Sequence, residues 1–449
     1  MLLIHVPRLT NRLGYTLNVL FHHLLRADFS ITTDEGYFAD YRGEKMSYGP
    51  RKVGDGLYVK SAGLLFSTSI EDQEPRPELR DGEWTLFPTY VKGSDIEFDI
   101  LAATFYMVSR YEEYLPHRED RHGRFPAEES IACQHGFLEV PVVDRWAILL
   151  RDKIKERYPE AYFPERTYRY VQTVDIDAAW CYRNKGLART VAGMARDLLA
   201  ARDIEAVRLR LRVLLHKEPD PFDTFDYLLE QNRKAAGVPL LFFVLLADYD
   251  RYDKPANYLN PKMRDLVQHI DDLAATGIHL GYGTQDNPPN ADKEAGRLEQ
   301  IVHRSTTRAR YHFLRLQLPW SYRILQRAGI TDDYTMGYPD AVGFRAGTSE
   351  AYPFYDLERD SETELMVHPF CAMDTAMKMH LGLTAAEAET TYRRLIDNVR
   401  AVGGVFCSIV HNQNLCERFG WEGWRTVYER TVDYAMPEQA TINEKMTDD

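Results

Sequence analysis

Between residues 166 and 435, apolar runs of strand length alternate with stretches of helical period. Val171, Val174 and Ile176 mark a short buried strand, and 239–246 is an unbroken apolar run that reads as a fully buried one. Shorter strands are predicted at 277–284, 310–314, 341–347, 364–370 and 403–412. Helices are predicted between them at 261–276, 293–307 and 320–328. The segment 185–217 reads as a solvated amphipathic helix pair, since its arginines interleave with acids and leucines. Such alternation, with polar residues at successive strand ends, predicts a parallel (β/α) barrel.

The first 165 residues have a different rhythm. A strand at 2–6 precedes a helix whose apolar positions Leu13, Leu17, Leu20, Phe21 and Leu24 recur at helical spacing. Short strands rich in Tyr, Phe and Val continue to Val91, and helices are predicted at 99–114 and 142–158. A polar loop carrying His117, His122 and Arg124 lies between those helices, read as docking on the neighbouring domain. Pro159 and Pro164 punctuate a boundary. The expected organisation is an α+β domain over 1–165, a barrel over 166–436 and a polar tail over 437–449.

A chain of 449 residues exceeds one ordinary core, so two or three domains are expected. A formal net charge of −13 argues against nucleic acid or an anionic membrane surface as the main partner. No run of residues approaches the ~18 apolar positions that span a bilayer. The N-terminal apolar run is too short for a signal peptide and soon meets Arg8 and Arg12. Cys133, Cys181, Cys371, Cys407 and Cys416 are scattered, with no C-x-x-C pair, which suits a reducing compartment. The expected localisation is cytoplasmic.

The candidate chemistry sits at strand ends. Asp175 and Asp177 are two apart, so a regular strand turns them to one face, where a cation or shared proton relieves their repulsion. Asp248 stands at the end of the next strand and His279 in the following Gly-rich bend. His312, Arg345 and the pair His411-Asn412 come later. A histidine so placed also serves as an ordinary packed residue.

In this order the residues resemble the polysaccharide deacetylase family (the NodB-homology domain), in particular a divergent two-domain bacterial branch. The resemblance covers roughly residues 166–435 and rests on Asp175-Ile176-Asp177, His279, Phe344-Arg345-Ala346-Gly347 and Ile409-Val410-His411. It implies a barrel of the deacetylase type and a divalent metal, zinc above all, on Asp177 and His279. It further implies Asp175 as base, His411 as acid and Arg345 as the partner of Asp175. The family places a second metal-binding histidine four residues after the first, where this chain has Gly283. A catalytic site of this kind takes three protein ligands. His312 is the expected replacement, with Asp286 and Asp248 as further candidates. Tyr282 or a backbone N–H of the 281–283 bend is expected at the oxyanion, and Tyr282, Asp248 and Asn412 at the substrate.

The implied substrate is an N-acetylated sugar or glycan intermediate, deacetylated by metal-activated water. Two alternatives stay open: a non-catalytic glycan-binding relative, and an amidohydrolase acting on a non-sugar C–N bond.

Overall fold

The computed structural model describes residues 1–200, 204–235 and 237–437. The polar tail expected from 437 lies, from residue 438 on, outside the described residues. The first part of the chain contains strands β1 (Leu2–His5), β2 (Phe29–Thr32), β3 (Lys45–Gly49) and β4 (Leu57–Lys60), then a small antiparallel pair, β5 (Glu78–Arg80) and β6 (Glu83–Thr85). The four leading strands form one sheet in the order β2-β1-β3-β4, parallel throughout. The first part thus combines a parallel four-stranded sheet with a separate antiparallel pair. Helical segments at 11–24 and Glu35–Asp40 carry the chain back between β1, β2 and β3, as parallel pairing requires.

The second part contains β7 (Arg169–Ile176), β8 (Leu240–Leu245), β9 (Ala275–Leu280), β10 (Arg308–Tyr311), β11 (Asp332–Asp333), β12 (Tyr352–Asp356), β13 (Ser361–Val367), β14 (Ala372–Met373) and β15 (Val405–His411). They pair in the order β12-β13-β11-β10-β9-β8-β7-β15-β14, all parallel except β12 against β13. The expected fold is a distorted parallel barrel; among the described residues the nine strands form one sheet, and no ladder joins β12 to β14 to close it. The sheet is nonetheless curled. Arg310 on β10 hydrogen-bonds Asp175 and Thr173 on β7, three strands away. On a flat sheet three steps span about 14 Å, beyond an arginine's reach. Tyr334, just after β11, likewise packs on Phe243 of β8 with ring centroids 5.2 Å apart.

Residues 341–347, predicted as a strand, take an irregular path with a turn at Arg345. Their apolar content reflects burial rather than pairing: Val342, Phe344 and Ala346 all lie in the core. Two helices of the second part carry the side-chain caps their sequences encode. Asn260 accepts from the Lys262 N–H at the start of Pro261–Leu273. Thr384 and Glu387 form a reciprocal capping box on Ala385–Ala401.

The two parts share one continuous hydrophobic core. Buried polar bonds cross between them: Tyr15 Oη donates to the Pro353 carbonyl at 2.8 Å, and Arg12 Nε to Asp360 Oδ1 at 3.1 Å. Asp144 accepts from Arg166 and from the Ser349 N–H. The loop at 117–125 reaches the residues that follow β9 and β10: His122 Nδ1 meets Tyr282 Oη, and Arg315 Nε donates to the His122 carbonyl.

Candidate active site

β7 carries Thr173 and Asp175 to one face, with Asp177 continuing the alternation, while Val174 and Ile176 face the opposite way and are buried. In register, Asp175 stands beside His411 on β15 and Phe243 on β8, and His279 on β9 beside Arg310 on β10. The next residue but one, His312, follows Arg310 on the same side. Asp175, Asp177, His279, His312 and His411 thus line one cleft of about 380 Å³ at the carboxyl ends of the strands. Phe313, Leu314, Pro339 and Met373 give the cleft its apolar walls, and Arg124, from the 117–125 loop, closes one side.

Two imidazoles converge on one carboxylate. Asp177 Oδ1 is 3.4 Å from His279 Nε2 and 3.6 Å from His312 Nε2, yet it is buried with no hydrogen-bond partner. The other nitrogens of both rings are committed: His279 Nδ1 donates to the Arg310 carbonyl at 3.0 Å, and His312 Nδ1 to Asp253 Oδ1 at 2.6 Å. In its neutral form each ring then presents the Nε2 lone pair toward Asp177. Asp177, His279 and His312 form a group able to hold a metal ion, their ligand atoms all within 4.8 Å of one another. Two donors about 2.1 Å from a tetrahedral ion stand roughly 3.4 Å apart. The donor set therefore fits a divalent metal, with Asp253 and the Arg310 carbonyl orienting the two rings from behind.

Asp177 is held well below the usual carboxylate range, because His312 and His411 outweigh the effect of its burial. Burial lowers the His312 pKa, but Asp177 and Asp253 raise it more, to about 9. For His411 the same competition, with Asp374 as the leading carboxylate, ends at about 10.

The other catalytic candidates divide. Asp175 is buried at the cleft floor, its Oδ1 accepting from Arg310 Nη1 at 2.6 Å and its Oδ2 turned toward His279 Nε2 at 3.6 Å. His411 holds its Nδ1 against Asp374 Oδ1 at 2.7 Å, which leaves Nε2 facing the cleft, 3.8 Å from Asp177 Oδ2. Arg345 is not beside Asp175. Its guanidinium grips both oxygens of Glu113 at 2.7 and 2.9 Å, and the irregular path at 341–347 keeps it off the sheet face. Arg310 occupies the expected place, spanning Asp175, Thr173 and the Tyr334 carbonyl.

The expected substrate contacts are likewise redistributed. Asp248 is exposed and paired with Lys293 and Arg297, and Asp286 with Arg315. Both lie outside the cleft lining, and the loop after β8 turns Asp253, not Asp248, inward. Asn412 spends its amide N–H groups on the Ala178 and Phe222 carbonyls, tying two loops together. Tyr282 stacks on Tyr252, with centroids 4.0 Å apart, and its Oη meets His122 Nδ1. The N–H groups of Gly281 and Tyr282 are also taken, by Glu294 and Asp253. That leaves neither group for an oxyanion. Gly281 is required there, since a Cβ would sit 2.5 Å from the Ala247 Cβ and 2.8 Å from Asp253 Oδ2. Gly283 faces nearly open space, with the Asn290 amide 3.9 Å from where its Cβ would be.

Four functional positions escaped the sequence reading: Arg310, Asp253, Asp374 and Gln413, whose Nε2 donates to Asp177 Oδ2 at 3.0 Å. Arg310 had a signal, since it precedes His312 by two residues on one strand and therefore shares its face. Asp253 lies in a loop and Asp374 opens the helical turn after a two-residue strand, and periodicity marks neither.

Residues 2–159 match a protein family of unknown function, DUF7033. No curated protein matches the chain. Among solved structures, one assigned as a polysaccharide deacetylase from Mycobacterium smegmatis aligns at 14% identity and a TM-score of 0.40, covering 62% of this chain and 88% of its own. A 7,8-dihydropteroate synthase from Vibrio fischeri aligns at 10% identity and a TM-score of 0.29, covering 63% of this chain and 96% of its own. No helix among the described residues is long and apolar enough to cross a membrane.

Proposed function

We propose that the cleft is a metal-dependent hydrolytic site that removes the acetyl group from an N-acetylated sugar or glycan intermediate. The observation that carries this reading is the buried, unpartnered Asp177 Oδ1 facing the free Nε2 of His279 and His312. Asp177, His279 and His312 would hold the ion, zinc being the best match to one carboxylate and two imidazoles. When bound, such an ion acts as a Lewis acid and makes a water molecule more acidic.

The chain's own residues supply the proton transfers. Asp175 is oriented by Arg310 through one oxygen only, so its Oδ2 is free to accept a proton from the attacking water. His411, aligned by Asp374, donates from Nε2 to the amide nitrogen as the C–N bond breaks. The water oxygen leaves on the acetate and the amine leaves protonated. The apolar wall of Leu314, Pro339 and Met373 suits an acetyl methyl and limits competing water.

The deciding experiment measures metal content of the purified protein beside an Asp177→Ala, His279→Ala double variant, with acetate release from N-acetylated sugars as the second readout. The expected result is one divalent ion per chain, absent from the variant, together with acetate release that chelation abolishes. A metal-free protein that still releases acetate would overturn the reading. Turnover of cyclic amides in place of acetylated sugars would redirect it to a different C–N bond.

A further inference from the structure

Between β7 and the helix Phe225–Lys234 the chain departs into a helical hairpin rooted on Asp220, whose carboxylate accepts the N–H groups of Cys181, Tyr182 and Arg183 at 2.7–2.9 Å. Its first arm, Leu187–Ala195 with the turn after it, is inverted relative to an ordinary surface helix. The polar side packs inward: Arg189 lies on the Tyr249 ring, Gly193 against the Arg210 guanidinium, and Asp197 is buried on Arg210 at 2.6 Å. The apolar side faces outward, with Leu187 81%, Val191 57%, Leu198 53% and Leu199 75% exposed. Their spacing, together with exposed Ala188 and Ala195, makes one continuous stripe along the arm. The second arm, Ile204–Leu214, buries Leu209 and Val213 but leaves Ile204, Leu211 and the following Leu215 exposed.

The charge around this stripe runs against the rest of the chain. In a molecule of net charge −13, the described residues from 185 to 217 include seven lysines and arginines and two acids; Arg196, Arg208 and Arg212 are exposed, each beside a single acid, Asp197, Glu205 and Glu218. The whole-chain charge, which argues against an anionic surface as partner, hides this local reversal. A second copy of the chain docked face to face would set each basic rim against itself, because a twofold interface pairs a patch with its own image. An apolar stripe bordered by arginines suits a helix lying in the headgroup layer of an anionic bilayer.

We propose that the hairpin is a peripheral docking surface for membranes rich in anionic phospholipid. The stripe enters the acyl boundary while Arg196, Arg208 and Arg212 meet phosphates. The inference is independent of the chemistry assigned to the cleft.

The test uses the full chain in a vesicle co-sedimentation assay with equimolar phosphatidylglycerol and phosphatidylcholine, against phosphatidylcholine alone. A Leu187→Ser, Val191→Ser, Leu198→Ser, Leu199→Ser variant changes only exposed side chains, and its circular dichroism and metal content control for folding. Binding is expected to the anionic vesicles only, to weaken with salt, and to fall at least about ten-fold in the variant. Failure of the native chain to bind, or equal binding by the folded variant, would overturn the proposal. So would a concentration-dependent dimer that the variant abolishes while neither protein binds vesicles, which assigns the face to a second copy.

Discussion

Arg310 and Arg345 are both fully buried beside a carboxylate, and the difference between their bonds separates a working pair from a structural one. Arg345 takes both oxygens of Glu113, and Arg110 adds a second guanidinium, so that carboxylate has nothing left to offer. Burial raises the Glu113 pKa, but the two arginines overcome this and hold it down at about 2. Arg310 instead takes one oxygen of Asp175 and directs its remaining nitrogens to Thr173 and a carbonyl. The other oxygen stays turned into the cleft. A carboxylate gripped on both oxygens joins the two parts of the chain, whereas one gripped on a single oxygen remains able to take a proton.

The largest expected effect comes from Asp175→Asn, which keeps an acceptor for Arg310 but removes the base. Acetate release should fall about a thousand-fold with the fold intact. Unchanged turnover would erase the distinction between the two pairs. Arg345→Met should act oppositely, leaving buried Glu113 with Arg110 as its remaining guanidinium and costing about 3 kcal/mol in urea denaturation while metal content per folded chain is retained. Arg310→Met sharpens the contrast: its loss of turnover per folded chain should exceed that of Arg345→Met.

Glu294 extends the comparison to a buried carboxylate without a hydrogen-bonded guanidinium among the described residues. Burial raises its pKa to about 7. The folded protein then keeps a proton that the unfolded chain loses above its ordinary carboxylate range. Stability should decline as pH rises toward 7, by up to about 3 kcal/mol, and level off above it. Glu294→Gln should flatten that slope while preserving the bond to the Gly281 N–H, and denaturation at a series of pH values measures both. The smallest effect is expected from Asp253→Asn, which touches the metal group only through His312. Metal affinity should weaken about 10–100-fold, read by competition with a chelator.

How much of this was legible in the sequence follows from the range of each interaction. The alternation around Asp175 and Asp177 is a property of one strand, so their shared face was readable. So were the strand-end positions of His279 and His411, each being fixed by a few neighbouring residues. Asp248 stands out in the sequence because it closes an apolar strand, yet the loop after β8 turns the later Asp253, which no local pattern marks, inward to His312. Arg345 stands out because it sits among small residues that resemble a family motif, whereas Arg310 sits in no such motif.

The sequence alone determined the alternation of elements, the Asp-x-Asp strand end and the histidines that accompany it, since local period and burial decide which way a strand residue points. Tertiary structure decided which arginine meets Asp175 and which carboxylates steer His312 and His411. It also turned the apolar stripe of the 187–199 arm outward. Those choices depend on the curl of a nine-stranded sheet and on loops whose ends are far apart in the chain. No short window of residues carries that information.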